Sequence, residues 1–395
     1  MNIQTLKTIT LNLLSYCQSE NFSGHDPYDA LNSRLFQMFP FLDHRIPRLV
    51  LIQAMKRSPV NFRRLIRVPK TQNPKALALF LTAFLKLRHL RLLPQDDLIP
   101  LMIERLSQLR SPLDPSSPAS PYCSWGYSFP WQTRSLLVPS GAPNLVCTTF
   151  VANALLDAYE AGEGAMCLEM AKNAAAYIAN ELYWAQTNGV ASFSYPTPSS
   201  RSRVHNANFL GAALLIRMHR HTGQEALLEP ALKVCRYSAS RQAADGAWFY
   251  GEHSTQHWID NFHTGYNLCA LADIGTHLGT DEFKPHIQRG FDFYLKHFFE
   301  PDGAPKYFHN RTFPIDIHSA AQSIITLVRF KALSESSLPL AMSVLDWSLG
   351  HLLSGQGYFY YQKTTHYTNR ISYMRWSQAW MLLALATLLE DGLTH

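Results

Sequence analysis

Five amide side chains recur along the chain at nearly one spacing, which limits the fold more than any other feature. Asn153, Asn208, Asn267, Gln322 and Gln378 each stand near the start of an apolar helical segment, and the steps between them are 55, 59, 55 and 56 residues. Such a period holds two helices and their connections, so the chain reads as a repeated helical hairpin.

The two helices of each repeat differ in kind. Segments near 45–58, 97–109, 165–184, 225–243, 282–298 and 336–353 are amphipathic with a charged face, as in "AMCLEMAKNAAAYIANELYW". Those near 75–88, 148–160, 206–219, 264–278, 319–330 and 376–390 are apolar nearly all round, as in "SQAWMLLALATLL", and suit helices buried on both sides. Alternation of the two kinds predicts an all-α fold, an (α/α)6 toroid in which inner helices form a ring and outer helices wrap it. Residues 45–395 make the toroid and residues 1–44 an N-terminal helical extension packing on it. An open solenoid of hairpins is the competing arrangement.

Composition narrows the function classes. With 35 Lys and Arg against 29 Asp and Glu, the net charge is 35 − 29 = +6, too mild for a nucleic-acid binder. Part of the excess is local: Lys56, Arg57, Arg63, Arg64, Arg67, Lys70 and Lys75 occur without an intervening acid. Such a run is either a solvated face or a patch for an anionic substrate or membrane headgroups, which makes residues 56–75 the expected peripheral membrane contact. The six cysteines follow no paired spacing and read as reduced and buried. The amphipathic start "MNIQTLKTITLNLLSYCQ" lacks a signal-peptide pattern, and no apolar run is long enough to span a bilayer. The expectation is a cytoplasmic enzyme, membrane-peripheral if the basic run is used.

The connections from outer to inner helices carry the chemistry. "QAADGAWFYGEHSTQHWIDNFH", "EPDGAPKYFHNRTFPIDIHS" and "SGQGYFYYQKTTHYTNRISYMRW" each pass from a turn through aromatics to a polar cluster where an inner helix begins. A toroid gathers connections of one kind at one end. Tyr195, Trp248, Tyr250, Tyr307, Tyr358, Tyr360, His205, Asn206, Asn261, Arg375 and Trp376 are therefore expected to line one mouth, with Asp260, His263, Asp316 and His318 as its reacting groups. Aromatic faces and fixed polar groups suit sugars, and Arg375 with the helix N-termini favours an anionic one. Asp260 and Asp316 are placed to act as a carboxylate pair in glycoside cleavage. Alternatively, His263 or His318 with a tyrosine moves a proton at carbon beside a carboxylate held by Arg375 or Asn261. Against both stands the ordinary use of Asp as a helix N-cap.

Two further stretches join the expected site. "SWGYSFPWQTR" brings Trp125, Tyr127, Trp131 and Arg134 as a binding loop, while "GHDPYDALNS" reads as a turn at Asp26-Pro27 and a helix cap at Asp29, with a lid over the mouth as the alternative. No zinc-type or phosphate-loop spacing occurs, so neither metal nor cofactor is expected.

"QAADGAW" at Gln242–Trp248 resembles the QxxDGxW element of terpenoid-cyclase and protein-prenyltransferase toroids, although the DxDD acid and zinc pattern of those enzymes are missing. More broadly, "GHDPYDALNS", "NPKALALFL", "WGYSFPWQTR", "VHNANFLGAALL", "WIDNFHTGYNL", "PIDIHSAAQ" and "YMRWSQAWM" resemble a bacterial family found with surface-polysaccharide genes and often mislabelled delta-aminolevulinic acid dehydratase. That resemblance implies a part in capsule or exopolysaccharide assembly. The expected function is a carbohydrate-active enzyme on a surface polysaccharide or its lipid-linked precursor, with a glycan or glycolipid substrate. Uronate C5-epimerase or lyase chemistry and glycoside hydrolysis are its forms. A polyprenyl-binding toroid and a non-catalytic assembly factor are the alternatives.

Overall fold

A computed structural model describes residues 2–112, 122–134 and 136–393. In chain order the α-helices are α1 Ile3–Ser19, α2 Arg34–Gln37, α3 Arg45–Arg57, α4 Pro74–His89, α5 Leu98–Gln108, α6 Leu145–Glu160, α7 Ala165–Tyr177, α8 His205–Thr222, α9 Leu228–Ala239, α10 Asn261–Leu278, α11 Lys284–His297, α12 Ile317–Arg329, α13 Ser337–Leu352 and α14 Trp380–Leu393. The inner ring runs α4, α6, α8, α10, α12, α14 and closes where α14 packs on α4. Outer helices α5, α7, α9, α11 and α13 each cover the inner helix that precedes them. The fold is the all-α toroid that the period implies.

The sixth outer place differs from the sequence reading. It is filled by α1, assigned above to an extension, which packs along α14. Helix α3, assigned to the outer layer, sits instead over the 29–32 turn and the strand Trp131–Gln132. The reason is burial: α3 buries only Ile52 and Met55, against a small cluster with Ala30 and Leu31, whereas α1 buries Leu6, Thr10, Leu13, Leu14 and Cys17. The boundary at residue 44 thus does not part an appendage from the ring.

Side chains cap four inner helices at the mouth. Asn73, Asn144, Asp260 and Asp316 accept from the backbone N–H of Lys75, Cys147, His263 and His318, which holds each helix entry in place. At the opposite end, Arg217 on α8 bonds Asp157 on α6 at 2.7 Å, Arg329 on α12 bonds Asp273 on α10 at 2.8 Å, and Lys86 on α4 pairs with Glu390 on α14. Three pairs of neighbouring inner helices are thereby tied at that end.

The QxxDGxW element is a clasp between outer helices. Gln242 donates to the His286 carbonyl and accepts from Arg289, while Trp248 Nε1 donates to the Ser238 carbonyl. Gly246, at φ 96°, lies so close to α11 that a Cβ would stand 2.1 Å from the Arg289 carbonyl oxygen. Gly246→Ala is expected to cost about 2 kcal/mol or more, read as a lowered midpoint in chemical denaturation.

Candidate functional site

The mouth holds a cavity of about 370 Å³ lined by Tyr28, Lys56, Lys75, Tyr127, Phe129, Trp131, Tyr195, Asn206, Tyr250, Trp258, Asp260, Phe262, His263, Tyr266, Tyr307, Phe308, His318, Arg375 and Trp376, among others. Of the expected reacting groups, Asp260, His263 and His318 reach it. Tyr127, Tyr195, Asn206, Tyr250, Tyr307, Arg375 and Trp376 do so as expected binding residues.

Asp260 serves as cap and orienter together. Its Oδ1 accepts the His263 backbone N–H at 3.0 Å, and its Oδ2 meets His263 Nδ1 at 2.7 Å and Trp258 Nε1 at 2.9 Å. With Nδ1–H donating to the carboxylate, the Nε2 lone pair of His263 is left free to act as a base. The imidazole is half-buried and lies against Tyr250, at 4.7 Å between ring centroids.

One helical turn further along α10, the Tyr266 hydroxyl is 2.6 Å from His318 Nε2. His318 is sandwiched between Phe262 and Trp380, at centroid distances of 4.4 and 4.6 Å. Burial, reinforced by the charges of Lys75 and Arg375, pushes its imidazole well below the usual value, so the ring is neutral. Burial likewise raises the Tyr266 phenol well above 10.0, and it keeps its proton.

Tyr266, Phe150 and Trp380 pack together as a partition across the ring axis, with Tyr266 facing both the mouth and a second cavity of about 810 Å³ at the far end. Lys75 Nζ rests on this partition, 4.0 Å from the Phe150 ring centre and 5.2 Å from those of Tyr266 and Trp380. Burial first, then the Arg375 charge, lowers its ammonium well below 10.5.

Arg375 enters from a π-helical turn, Met374–Ala379, ahead of α14. It gives Nε and Nη2 to the Asp26 carboxylate at 2.6 and 2.8 Å, and its guanidinium lies over the rings of Tyr127 and Trp376. Asp26 belongs to "GHDPYDALNS". Of that stretch, Tyr28 lines the cavity, while Asp29 is buried in a 2.7 Å pair with Arg63. The stretch is a fixed wall, locked by ion pairs.

Several expected residues lie away from the cavity. Asp316 is fully buried, capping α12 and accepting Trp376 Nε1 at 2.9 and 3.1 Å; burial raises its carboxyl to about 7. Trp125 donates to the Leu106 carbonyl in the core, and Trp248 to that of Ser238. His205 is buried against Ser238, and Asn261 accepts from Tyr294 and Ser323. Tyr360 packs on Tyr358 and Arg370, and Arg134 is exposed outside the lining. Trp, Asn and His near a helix entry have bodies or donors that the core also uses, so position alone does not tell lining from packing.

Tyr28, Lys56, Lys75, Phe129, Trp258, Phe262, Tyr266 and Phe308 were not expected there. Two carried a signal: Tyr266 follows His263 by three residues, so both lie on one helix face, and Lys75 is a lone cation opening an apolar inner helix. The basic run is divided: Arg57, Arg64 and Arg67 stand exposed, and the others are buried or paired. Arg63 and Lys75 are buried, Lys56 donates to the Tyr28 hydroxyl, and Lys70 pairs with Glu20.

Among the described residues no three His, Cys, Asp or Glu side chains gather as a metal site, and no helix is long and apolar enough to cross a membrane.

The closed ring with its catalytic-type side chains at one mouth puts the chain among α/α toroids. Solved structures of similar fold include a cellobiose 2-epimerase from Spirochaeta thermophila, 13% identical with TM-score 0.59, covering 82% of this chain and 87% of that one. A GH76 α-mannanase from Bacteroides thetaiotaomicron is 11% identical with TM-score 0.62, over 83% and 89%. A polysaccharide lyase is 10% identical with TM-score 0.58, over 98% of both chains. At these identities the likeness shows the fold. No family model matches the chain, and no curated protein matches it in sequence.

Buried imidazoles and the buried Asp316 carboxyl pull the acid response of the fold in opposite directions. Burial lowers His205 from 6.5 to about 4, and lowers His318 as well. At these two sites the unfolded chain binds protons that the native one refuses, so their contribution to stability is full above the ordinary imidazole value and declines as pH falls below it. The raised Asp316 carboxyl gains stability over the same fall in pH, so the imidazole share is read as a difference: thermal melts between about pH 6.5 and 4 should show the parent losing stability relative to His205→Gln.

Proposed function

We propose that the chain is a carbohydrate-active enzyme that moves a proton at the carbon beside the carboxylate of a uronate-type sugar, by C5-epimerase or lyase chemistry. Its substrate is a bacterial surface polysaccharide or that polysaccharide's lipid-linked precursor. The observation that carries the reading is the Asp260–His263 pair, which points an oriented imidazole into the same cavity as the Tyr266 hydroxyl and Arg375.

In this scheme His263 Nε2 takes the C5 proton, and the bond pair moves into the sugar carboxylate. The positive charge of Arg375 stabilises the resulting dianion. Tyr266, its phenol protonated, then supplies a proton. Delivered to carbon on the opposite face, that proton inverts the centre. Delivered to the departing oxygen at C4, it completes an elimination and leaves a C4–C5 double bond. Tyr250, Tyr307 and Trp258 offer aromatic faces for the sugar rings.

Proton transfer is favoured over two-carboxylate hydrolysis because Asp316 is sealed beneath Trp376, away from the cavity that Asp260 enters. Arg375 gives the lining a fixed charge, with Asp260 and Lys75 as further polar groups, which a polyprenyl chain would not use. Support for carbohydrate chemistry also comes from the similar folds, whose names include a sugar epimerase and a polysaccharide lyase. The sequence resemblance to a surface-polysaccharide family supports the substrate class.

The test is incubation with uronate-containing oligosaccharides in deuterated water, followed by NMR at C5 and by ultraviolet absorbance of a new double bond. His263→Ala and Asp260→Asn should each slow the reaction by about 10²–10⁴-fold without a matching drop in melting temperature, and Tyr266→Phe should suppress product while leaving binding. Glycan cleavage with neither exchange nor unsaturation would overturn the scheme.

A further inference from the structure

The outer wall of the mouth is covered by a segment whose surface is unlike the rest of the molecule. Among the described residues, nine of the fifteen large apolar side chains that stand exposed fall between Leu35 and Leu65. Met38, Phe41, Ile46 and Leu65 are the most open, at 66%, 72%, 68% and 73%. Exposed apolar side chains concentrated in one short segment mark a contact face. Interleaved with it are Arg34, Arg45, Arg57, Arg64 and Arg67, all exposed, none in an ion pair among the described residues. The only acid from 34 to 67 is Asp43, already bound to Arg48.

We propose that this face, α2 through Arg67, docks the protein on an anionic lipid surface with the sugar cavity beside the bilayer. Apolar side chains that enter the headgroup region and unpaired guanidinium groups that meet lipid phosphates are the two complementary halves of such a contact. A second copy of the chain fits less well, since a two-fold contact would set the same five arginines against one another. The position follows from the cavity walls: Lys56 and Tyr28 line it, and Arg48 on α3 reaches Gln132 beside Trp131. A lipid-borne glycan would thus meet the mouth at the membrane. The inference does not depend on which reaction the site performs.

Flotation with vesicles of phosphatidylcholine alone, or mixed with phosphatidylglycerol, tests it without an activity readout. The protein should float with the anionic vesicles only, and less as salt rises. The triple variant Arg34→Glu/Arg45→Glu/Arg64→Glu should bind on the order of a hundredfold more weakly. Phe41→Asp/Leu65→Asp should also lose binding, with both variants melting as the parent does because every altered side chain is exposed. Failure to float with anionic vesicles, or flotation that both variants retain, would overturn the proposal. A concentration-dependent dimer that Phe41→Asp/Leu65→Asp dissolves, with no lipid binding, would assign the face to a second copy instead.

Discussion

The bidentate pair between Asp26 and Arg375 joins residues 349 positions apart, and both partners are buried. It fastens the N-terminal wall to the turn that opens the last inner helix, just where a toroid must join its two ends. Around it, Arg63 bonds Asp29 and the Asp26 carbonyl, and the Met374 N–H bonds the His25 carbonyl. Removing one partner of such a pair leaves a buried charge without compensation, at a typical cost of about 3–5 kcal/mol. The same contact holds Trp376 over Asp316 and turns Arg375 toward the cavity. Ring closure and site assembly therefore rest on one interaction.

The two ends of the ring divide the work. At the mouth, inner-helix N-termini bring partial positive charge, only part of which the side-chain caps satisfy. At the far end, ion pairs between α4, α6, α8, α10, α12 and α14 hold the helices in order. The aromatic partition of Phe150, Tyr266 and Trp380 separates the two, and the Lys75 amine is held over it without a carboxylate partner among the described residues. The proposed anion recognition and proton transfer are thus confined to one face.

Asp260 and Asp316 show how one residue of spacing changes a role. Both cap an inner helix, both accept a tryptophan Nε1, and both precede a histidine. In Asp-x-x-His the imidazole lies three residues on, returns to its own carboxylate and faces the cavity. In Asp-x-His it lies two residues on, where side chains of a helix point apart. His318 therefore turns to Tyr266 on the neighbouring helix, and Asp316 remains a cap under Trp376.

The repeat of amides and the alternation of apolar and amphipathic helices were enough, read from sequence, to specify the toroid and its mouth. Each depends on periodicities of a few residues that local structure must obey. Asp260 and His263 were each legible as reacting groups, but by sequence alone Asp260 pairs with Asp316, and its contact with His263 came from the structure. What the tertiary structure alone decided was which aromatic and polar groups at the helix entries line the cavity and which, like Trp125, Trp248, His205 and Asp316, are spent on the core. It also decided that α1 completes the outer layer, that Arg375 meets Asp26, and that Lys75 lies at the ring centre. Those outcomes turn on groups far apart in the chain, whose pairing is set by burial and packing as the ring closes. No local pattern records that choice, because a buried donor takes whichever acceptor the closed fold brings to it.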